Sequence, residues 1–311
     1  MDLTLPPGAV AWRERAKAFA QERLFPHEVE LEMNGALPAA TREALRRAVV
    51  DYGLNGVNHA KAVGGQGCTQ VEQAAINEEL GKATGALWAV VPHPAAPLKT
   101  GTPAQIDAFL RPSCAMRRRA CVAITEAGAG SDPRMIRTRA DRREGRYVLN
   151  GEKWFVTSGD VADYVIVQAN AGGDPEKPTL FLVDKDAPGL SVIREPKFTH
   201  TYVFGHPEFR FEDVEVAEDR VLGAVGGGLE LSKDWFVEAR LQIAANTLGA
   251  AIRAFELADD WASQRRQFGR AIRDFQAIEF MLADMAVEIM AAKSLVFRGA
   301  WGIGHGAGRK G

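Results

Sequence analysis

Cysteine, charge imbalance and long apolar runs are all scarce in this chain, and each scarcity removes a class of function. Three cysteines, Cys68, Cys114 and Cys121, occur in 311 residues. They are odd in number and none stands in CxxC spacing. Neither a disulfide framework nor a thiolate zinc site is expected, and a reducing cytoplasm is the simplest compartment. The formal net charge is −2, which gives no electrostatic reason to expect nucleic acid or an anionic membrane as partner. Short basic clusters such as Arg117-Arg118-Arg119 read as solvated faces. The longest apolar stretch, Gly85 to Leu98, is interrupted by three prolines and is too short to span a bilayer. The start, MDLTLPPGAV, lacks the basic-then-apolar pattern of a signal peptide. The six histidines, His27, His59, His93, His200, His206 and His305, show no metal-ligand spacing. His200 and His206 read as loop or structural residues.

What is present is ample apolar material, 46% of residues, in a length that suits two or three domains. The expected fold class is α+β and multi-domain, with an N-terminal helical domain at 1–118, a middle antiparallel β-barrel or sandwich at 119–225, and an incomplete C-terminal helical bundle at 226–311. Val10 to Arg23, Pro38 to Tyr52 and Val71 to Leu80 carry apolar residues at helical spacing. Thr102 before Pro103 predicts a capped helix start. From Arg119 the texture becomes short strands rich in Val, Ile, Phe and Tyr, without intervening helices. That excludes a dinucleotide-binding reading of Gly128-x-Gly130, which needs a following helix and further βαβ units. Beyond Gly226-Gly227-Gly228, Leu241, Ala245, Leu248, Ile252 and Phe255 form one helical seam. Phe275, Ile278, Leu282, Met285, Ile289, Ala292 and Val296 form another. The basic, Gly-rich end GIGHGAGRKG has nothing to pack, and the outer faces of two long helices call for partners.

Two stretches carry chemistry. Cys121 to Asp132, CVAITEAGAGSD, reads as a strand opening into a Gly-rich loop. Tyr147 to Asp160, YVLNGEKWFVTSGD, reads as two strands around a tight turn at Asn150-Gly151. Together they gather backbone N–H groups, the hydroxyls of Thr125, Ser131 and Thr157, and the rings of Trp154 and Phe155, a mixture suited to a flat cofactor with a polar edge.

These motifs, together with GGQG at 64–67, GTPAQ at 101–105, FEDVEVAEDRVLG at 211–223, EARLQIAA at 238–245 and RRQFGRAIRDFQAI at 265–278, occur in the order found in acyl-CoA dehydrogenases, a family this chain resembles from about residue 40 to 302. The resemblance implies FAD as cofactor, an acyl-CoA as substrate, an electron-transfer flavoprotein as electron acceptor, and a homodimer or homotetramer. Ile124, Thr125 and Ser131 then line the flavin and pyrophosphate, and Phe155 and Thr157 approach the isoalloxazine ring. Arg265, Gln267, Phe268 and Gln276 correspond to residues that bind the pyrophosphate and adenosine of a neighbouring subunit's FAD, and Arg offers phosphate a planar, charge-assisted fork. Ser131, Phe236 and Arg240 match positions that contact the acyl-CoA. The same residues have plain structural readings: Ser131-Asp132 as a turn cap, Phe155 and Phe268 as core rings, Arg265 as a solvated helix residue.

The implied reaction is α,β-dehydrogenation of an acyl-CoA to a trans-2-enoyl-CoA, which needs a carboxylate base of raised pKa and a polarised thioester carbonyl. The family's usual base is a Glu in a C-terminal Glu-Gly-Thr segment, which this sequence does not contain. A second group of members has Glu immediately before the Arg matched by Arg240, where this chain has Ala239. Glu238 stands one residue earlier, about 100° around a helix, so it is a weak candidate and the catalytic residue is left unassigned. Two alternatives remain open: a flavin oxidase or monooxygenase on the same fold, and a non-catalytic flavin- or CoA-binding remnant.

Overall fold

The computed structural model describes residues 4–306. The chain divides into two compact units. One, the sheet unit, is Gly35–Gly67 with Ala89–Glu238; the other, the helical unit, is Met1–Asn34, Cys68–Trp88 and Ala239–Gly311.

In the sheet unit, eight strands form one sheet: β1 (Ala120–Ala123), β2 (Arg139–Arg143), β3 (Arg146–Lys153), β4 (Tyr164–Ala171), β5 (Pro178–Asp184), β6 (Leu190–Arg194), β7 (Glu208–Ala217) and β8 (Val221–Leu222). Their order is β6-β7-β3-β2-β4-β5-β8, with β1 paired to β4. The pairing is antiparallel except where β1 and β2 each meet β4 in parallel. β4 is buried along its whole length, which explains its near-continuous apolar composition. One core gathers Leu149, Val165, Val167, Phe181, Phe209 and Phe211. On another, Tyr164 packs edge-on against Phe109 and shares a 2.8 Å hydrogen bond with Ser113. Thr102 caps the turn at Pro103–Gln105 through a reciprocal capping box, as its sequence predicts.

The turn expected at Asn150-Gly151 is not there. β3 runs straight through both residues, and the tight turn lies at Glu144-Gly145, whose φ values of +47° and +74° suit a two-residue hairpin. Correspondingly, Trp154 to Val156 are not a second strand. Asn150-Gly151 is instead a shift in register against β7. Asn150 Nδ2 donates to Asp213 Oδ1 at 3.0 Å and Asn150 Oδ1 accepts from Asp213 N–H at 3.0 Å. Gly151 has φ +150°, and a Cβ there would lie 2.5 Å from Thr138 Oγ1. Glycine is required for close approach rather than for a turn.

The helical unit contains the helices Pro7–Phe19, Glu28–Asn34 and Gln70–Leu80, the 239–264 part of Gly228–Gln264, and Gln276–Gly304. Thr69 caps Gln70–Leu80 with a second capping box. The two long helices pack on it through Ala74, Ala245, Leu241, Val296 and Ala300. Close approach is set by glycine: a Cβ on Gly81 would sit 2.2 Å from the Asn246 carbonyl oxygen, and one on Gly249 2.0 Å from that of Glu78. Of the two seams, Ala245, Leu248 and Leu282 are buried and most others half-buried, whereas Ala292 is exposed. Trp261, Phe280, Met281, Val287, Met290 and Leu295 are also exposed, which leaves the apolar outer faces that the seams foreshadow. The end segment GIGHGAGRKG lies partly outside the described residues. No helix among those described is long and apolar enough to cross a membrane.

Candidate functional site

The chemistry-bearing face of the sheet unit forms where β1 and β3 end. Just past β3, Trp154 N–H donates to the Thr125 carbonyl at 2.8 Å, joining the two stretches singled out in the sequence. The following segment is clamped to the strand before β7: Val156 N–H donates to the Pro207 carbonyl at 3.0 Å and Ser158 N–H to that of Gly205 at 2.9 Å. Phe155 and Ser158 take φ +53° and +64°, left-handed values that cost non-glycine residues energy and persist only where surroundings enforce them. The N–H groups of Trp154, Val156 and Ser158 are thus used internally. Those of Phe155 and Thr157 have no backbone acceptor among the described residues. Their side chains are exposed, Phe155 to 48%.

A buried ion pair pins this face. Lys153 is fully buried; its Nζ donates to the Ile124 carbonyl at 2.9 Å and to Glu126 Oε1 at 2.7 Å. Glu126 also accepts from Arg137 N–H at 2.6 Å, Thr138 N–H at 3.0 Å and the Thr138 hydroxyl at 2.7 Å. Burial pushes Lys153 down to about 8, with Glu126 pulling it back up. Burial also works against the Glu126 carboxylate, but Lys153 and the Thr138 and Arg137 donors outweigh it and hold Glu126 below its ordinary value. A carboxylate with four donors is the arrangement that makes a buried charge tolerable.

Around Phe155 stands an aromatic and imidazole cluster. Phe198 lies 6.0 Å from Phe155, centroid to centroid, and 5.1 Å from His206; Tyr202 lies 4.6 Å from His206. His206 Nδ1 is 3.0 Å from Thr157 Oγ1. Arg119, pushed down to about 10 by burial, stacks on Phe204 at 4.3 Å.

The structure therefore brings Ile124, Thr125, Phe155 and Thr157 together. Ser131 is exposed beyond the Glu126–Ala129 bridge, and Asp132 rather than Ser131 caps the next turn, accepting from Arg134 N–H at 3.0 Å. Phe155 is no core ring. Phe236 and Glu238 are half-buried on the Gly228–Gln264 helix. Glu238 Oε1 stands 3.6 Å from Lys99 Nζ, and burial raises its pKa against the opposing pull of that ammonium.

Arg240, Arg265, Gln267, Phe268 and Gln276 belong to the helical unit. Arg265 is not a residue of a regular helix: it follows Gln264, and a small hairpin of β9 (Arg266–Gln267) and β10 (Arg270–Ala271) comes next. Phe268 and Gly269 form its turn with φ +51° and +83°, and Phe268 is 94% exposed. An almost fully exposed ring at a left-handed tip is no core residue, and Arg265, Gln267 and Gln276 are exposed with it.

The donor set fits a flavin. An isoalloxazine ring needs an apolar face and hydrogen-bond donors along one edge, and this surface supplies an open Phe155 ring, the Thr157 hydroxyl and two N–H groups without backbone acceptors. Trp154 Nε1 is buried with no hydrogen-bond partner among the described residues. A Cβ added at Gly128 or Gly130 would meet nothing within 4 Å, so the Gly-rich loop leaves its backbone open to a ligand. Sequence reasoning missed Glu126, Lys153 and His206. The run HTYVFGH held a partial signal for His206, since Tyr202, four residues earlier, packs on its ring. Nothing in the pattern marked Lys153 as buried.

Residues 7–117, 121–214 and 226–311 match, in turn, the N-terminal, middle and C-terminal domains of acyl-CoA dehydrogenases. Benzylmalonyl-CoA dehydrogenase of Aromatoleum aromaticum is 34% identical over 97% of this chain and 80% of its own length. The butyryl-CoA dehydrogenase structure from Megasphaera elsdenii superposes with TM-score 0.90 at 28% identity, covering 98% of this chain and 82% of that one. An FAD complex of PigA superposes with TM-score 0.90 at 26% identity, covering 98% and 81%.

Proposed function

The chain belongs to the acyl-CoA dehydrogenase family of FAD-dependent enzymes, and on that premise we propose that it dehydrogenates an acyl-CoA thioester across its α and β carbons, giving a trans-2-enoyl-CoA. Bound FAD supplies the hydride acceptor for such chemistry. The protein's own part is placement and electrostatics. Phe155 offers the ring face, the N–H groups of Phe155 and Thr157 offer donors to the flavin edge, and the Thr157 hydroxyl lies beside them. Ile124 and Thr125 form the adjoining wall, held by the Lys153–Glu126 pair. Ser131, Phe236 and Arg240 are assigned to the acyl-CoA. Arg265, Gln267, Phe268 and Gln276 are assigned to the phosphate and adenosine end of FAD on a neighbouring copy, within a homodimer or homotetramer. An exposed hairpin tip is a suitable device for reaching another molecule. An electron-transfer flavoprotein is the proposed acceptor.

Glu238 is given no proton-transfer role. Its carboxylate faces Lys99, and a base must instead reach the α-proton within hydrogen-bond distance.

The observation that carries this reading is the clamped Trp154–Ser158 segment, which presents one aromatic face and a row of donors to the outside. The test is FAD uptake by the purified protein, followed by anaerobic incubation with a panel of acyl-CoAs that includes butyryl-CoA and benzylmalonyl-CoA. Enoyl-CoA formed in step with flavin reduction is expected. Peroxide formed rapidly in air would point to an oxidase, and flavin that stays oxidised with every thioester would point to a binding protein.

A further inference from the structure

Thr157 is the one side chain on the flavin-facing segment with both a proton to donate and a titratable partner. Val156 and Ser158 are bonded to Pro207 and Gly205 on either side of it, and this local pairing sets residue 157 opposite residue 206. The result is the 3.0 Å contact between Thr157 Oγ1 and His206 Nδ1. We propose that His206 is a positioning residue that sets the direction of the Thr157 hydroxyl proton, and through it the hydrogen bonding at the flavin edge. The inference rests on the flavin reading above and adds a residue to it.

Whether Nδ1 of His206 carries a proton sets the direction of this hydrogen bond. With His206 neutral and its proton on Nε2, Nδ1 accepts from Thr157, and the hydroxyl proton is turned away from the ligand face. With His206 protonated, Nδ1 donates to Thr157 Oγ1, and the hydroxyl proton is free to point outward as a donor. Passing from the first state to the second takes up one proton from solvent at Nδ1, forming an N–H bond there; otherwise only hydrogen bonds change. The titratable and charged groups facing His206 are His200, with ring centroids 5.8 Å apart, Tyr202 at 4.6 Å, and Asp160, whose charge favours the protonated form. Arg119 acts on Tyr202 in turn. Burial first, and then His200, lower the His206 pKa below its ordinary value of 6.5, so the neutral state holds at neutral pH. Phe198 closes the aromatic side of the imidazole.

The test is the pH dependence of FAD affinity, read with the isolated full chain, alongside the nitrogen NMR shifts of His206 in the protein without added FAD. Wild type is expected to bind FAD roughly three- to tenfold more tightly as pH falls through the His206 transition, the worth of one added hydrogen bond. Thr157→Val is expected to abolish that step and to move the His206 pKa. His206→Asn, which keeps a hydrogen-bonding group near the Nδ1 position, should retain affinity within a few-fold while losing the step. His200→Gln should keep the step and shift it to higher pH. FAD uptake with the same pH profile in wild type and Thr157→Val overturns the coupling alone, leaving the flavin reading standing. No FAD uptake by wild type at any pH, with a His206 titration indifferent to Thr157→Val, overturns both.

Discussion

Removing the Lys153 charge without its volume, as Lys153→Met, tests what holds the Trp154–Ser158 segment in place. Lys153 is fully buried and Glu126 nearly so, with side-chain exposures of 0% and 10%. The lysine's contacts are the Ile124 carbonyl at 2.9 Å and Glu126 at 2.7 Å. Loss of the ammonium leaves a buried carboxylate with three donors and no counter-charge. Breaking one side of a buried pair costs about 3–5 kcal/mol, a large part of a typical domain's margin of about 5–15 kcal/mol. Glu126→Gln strands the ammonium instead, so it should cost an amount of the same order. The double variant removes both charges and should cost clearly less than the sum, with a coupling of at least about 1 kcal/mol. Urea denaturation followed by tryptophan fluorescence reads these differences as shifts in midpoint, and FAD affinity reads that segment. Single variants that each cost under about 1 kcal/mol, as exposed pairs do, would refute the argument that this pair pins the site.

Gly151→Ala forces a Cβ to within 2.5 Å of Thr138 Oγ1 at φ +150°; it should lower the urea midpoint by an amount equivalent to about 1–3 kcal/mol, and an unchanged midpoint would show that the register shift relaxes freely. Glu238→Gln should leave anaerobic flavin reduction within about tenfold of wild type, because loss of a general base costs roughly 10²–10⁴-fold. Because burial raises the Glu238 pKa in the fold, its stabilising contribution is complete below the unfolded value near 4.5 and is lost as pH rises through the folded value. Melting temperatures across that window should therefore show a shallower decline in Glu238→Gln than in wild type. Phe268→Ala, at a 94% exposed position, should change the stability of the isolated chain by no more than about 0.5 kcal/mol, while analytical ultracentrifugation and FAD retention report weaker assembly.

Much of the architecture was legible because local signals agreed with the fold. Thr102 caps a helix start as its position suggests, and Ala245, Leu248 and Leu282 are buried where the seams put them. The change from helical to strand texture near Arg119 is met by β1 at Ala120. Asn150-Gly151 misled because its dipeptide chemistry serves two purposes. Asn150 bonds across to Asp213 and Gly151 admits Thr138, while the less conspicuous Glu144-Gly145 makes the turn. Phe155 and Phe268 illustrate a second limit: an aromatic residue reads equally as core or as ligand contact, and only the structure, which leaves both exposed at left-handed positions, removes the core reading. Lys153 illustrates a third. A lysine near a strand end reads as solvated, and its burial depends on Glu126, 27 residues away in sequence. The His206–Thr157 contact arises the same way, across 49 residues.

The most direct test is an anaerobic titration of the FAD-loaded protein with acyl-CoA thioesters, followed through the oxidised flavin absorption band and by mass analysis of the thioester. Loss of that band in proportion to trans-2-enoyl-CoA formed is the predicted result. FAD bound at the Phe155–Thr157 face but still fully oxidised after prolonged incubation with every thioester would contradict the assignment of this chain as an acyl-CoA dehydrogenating enzyme.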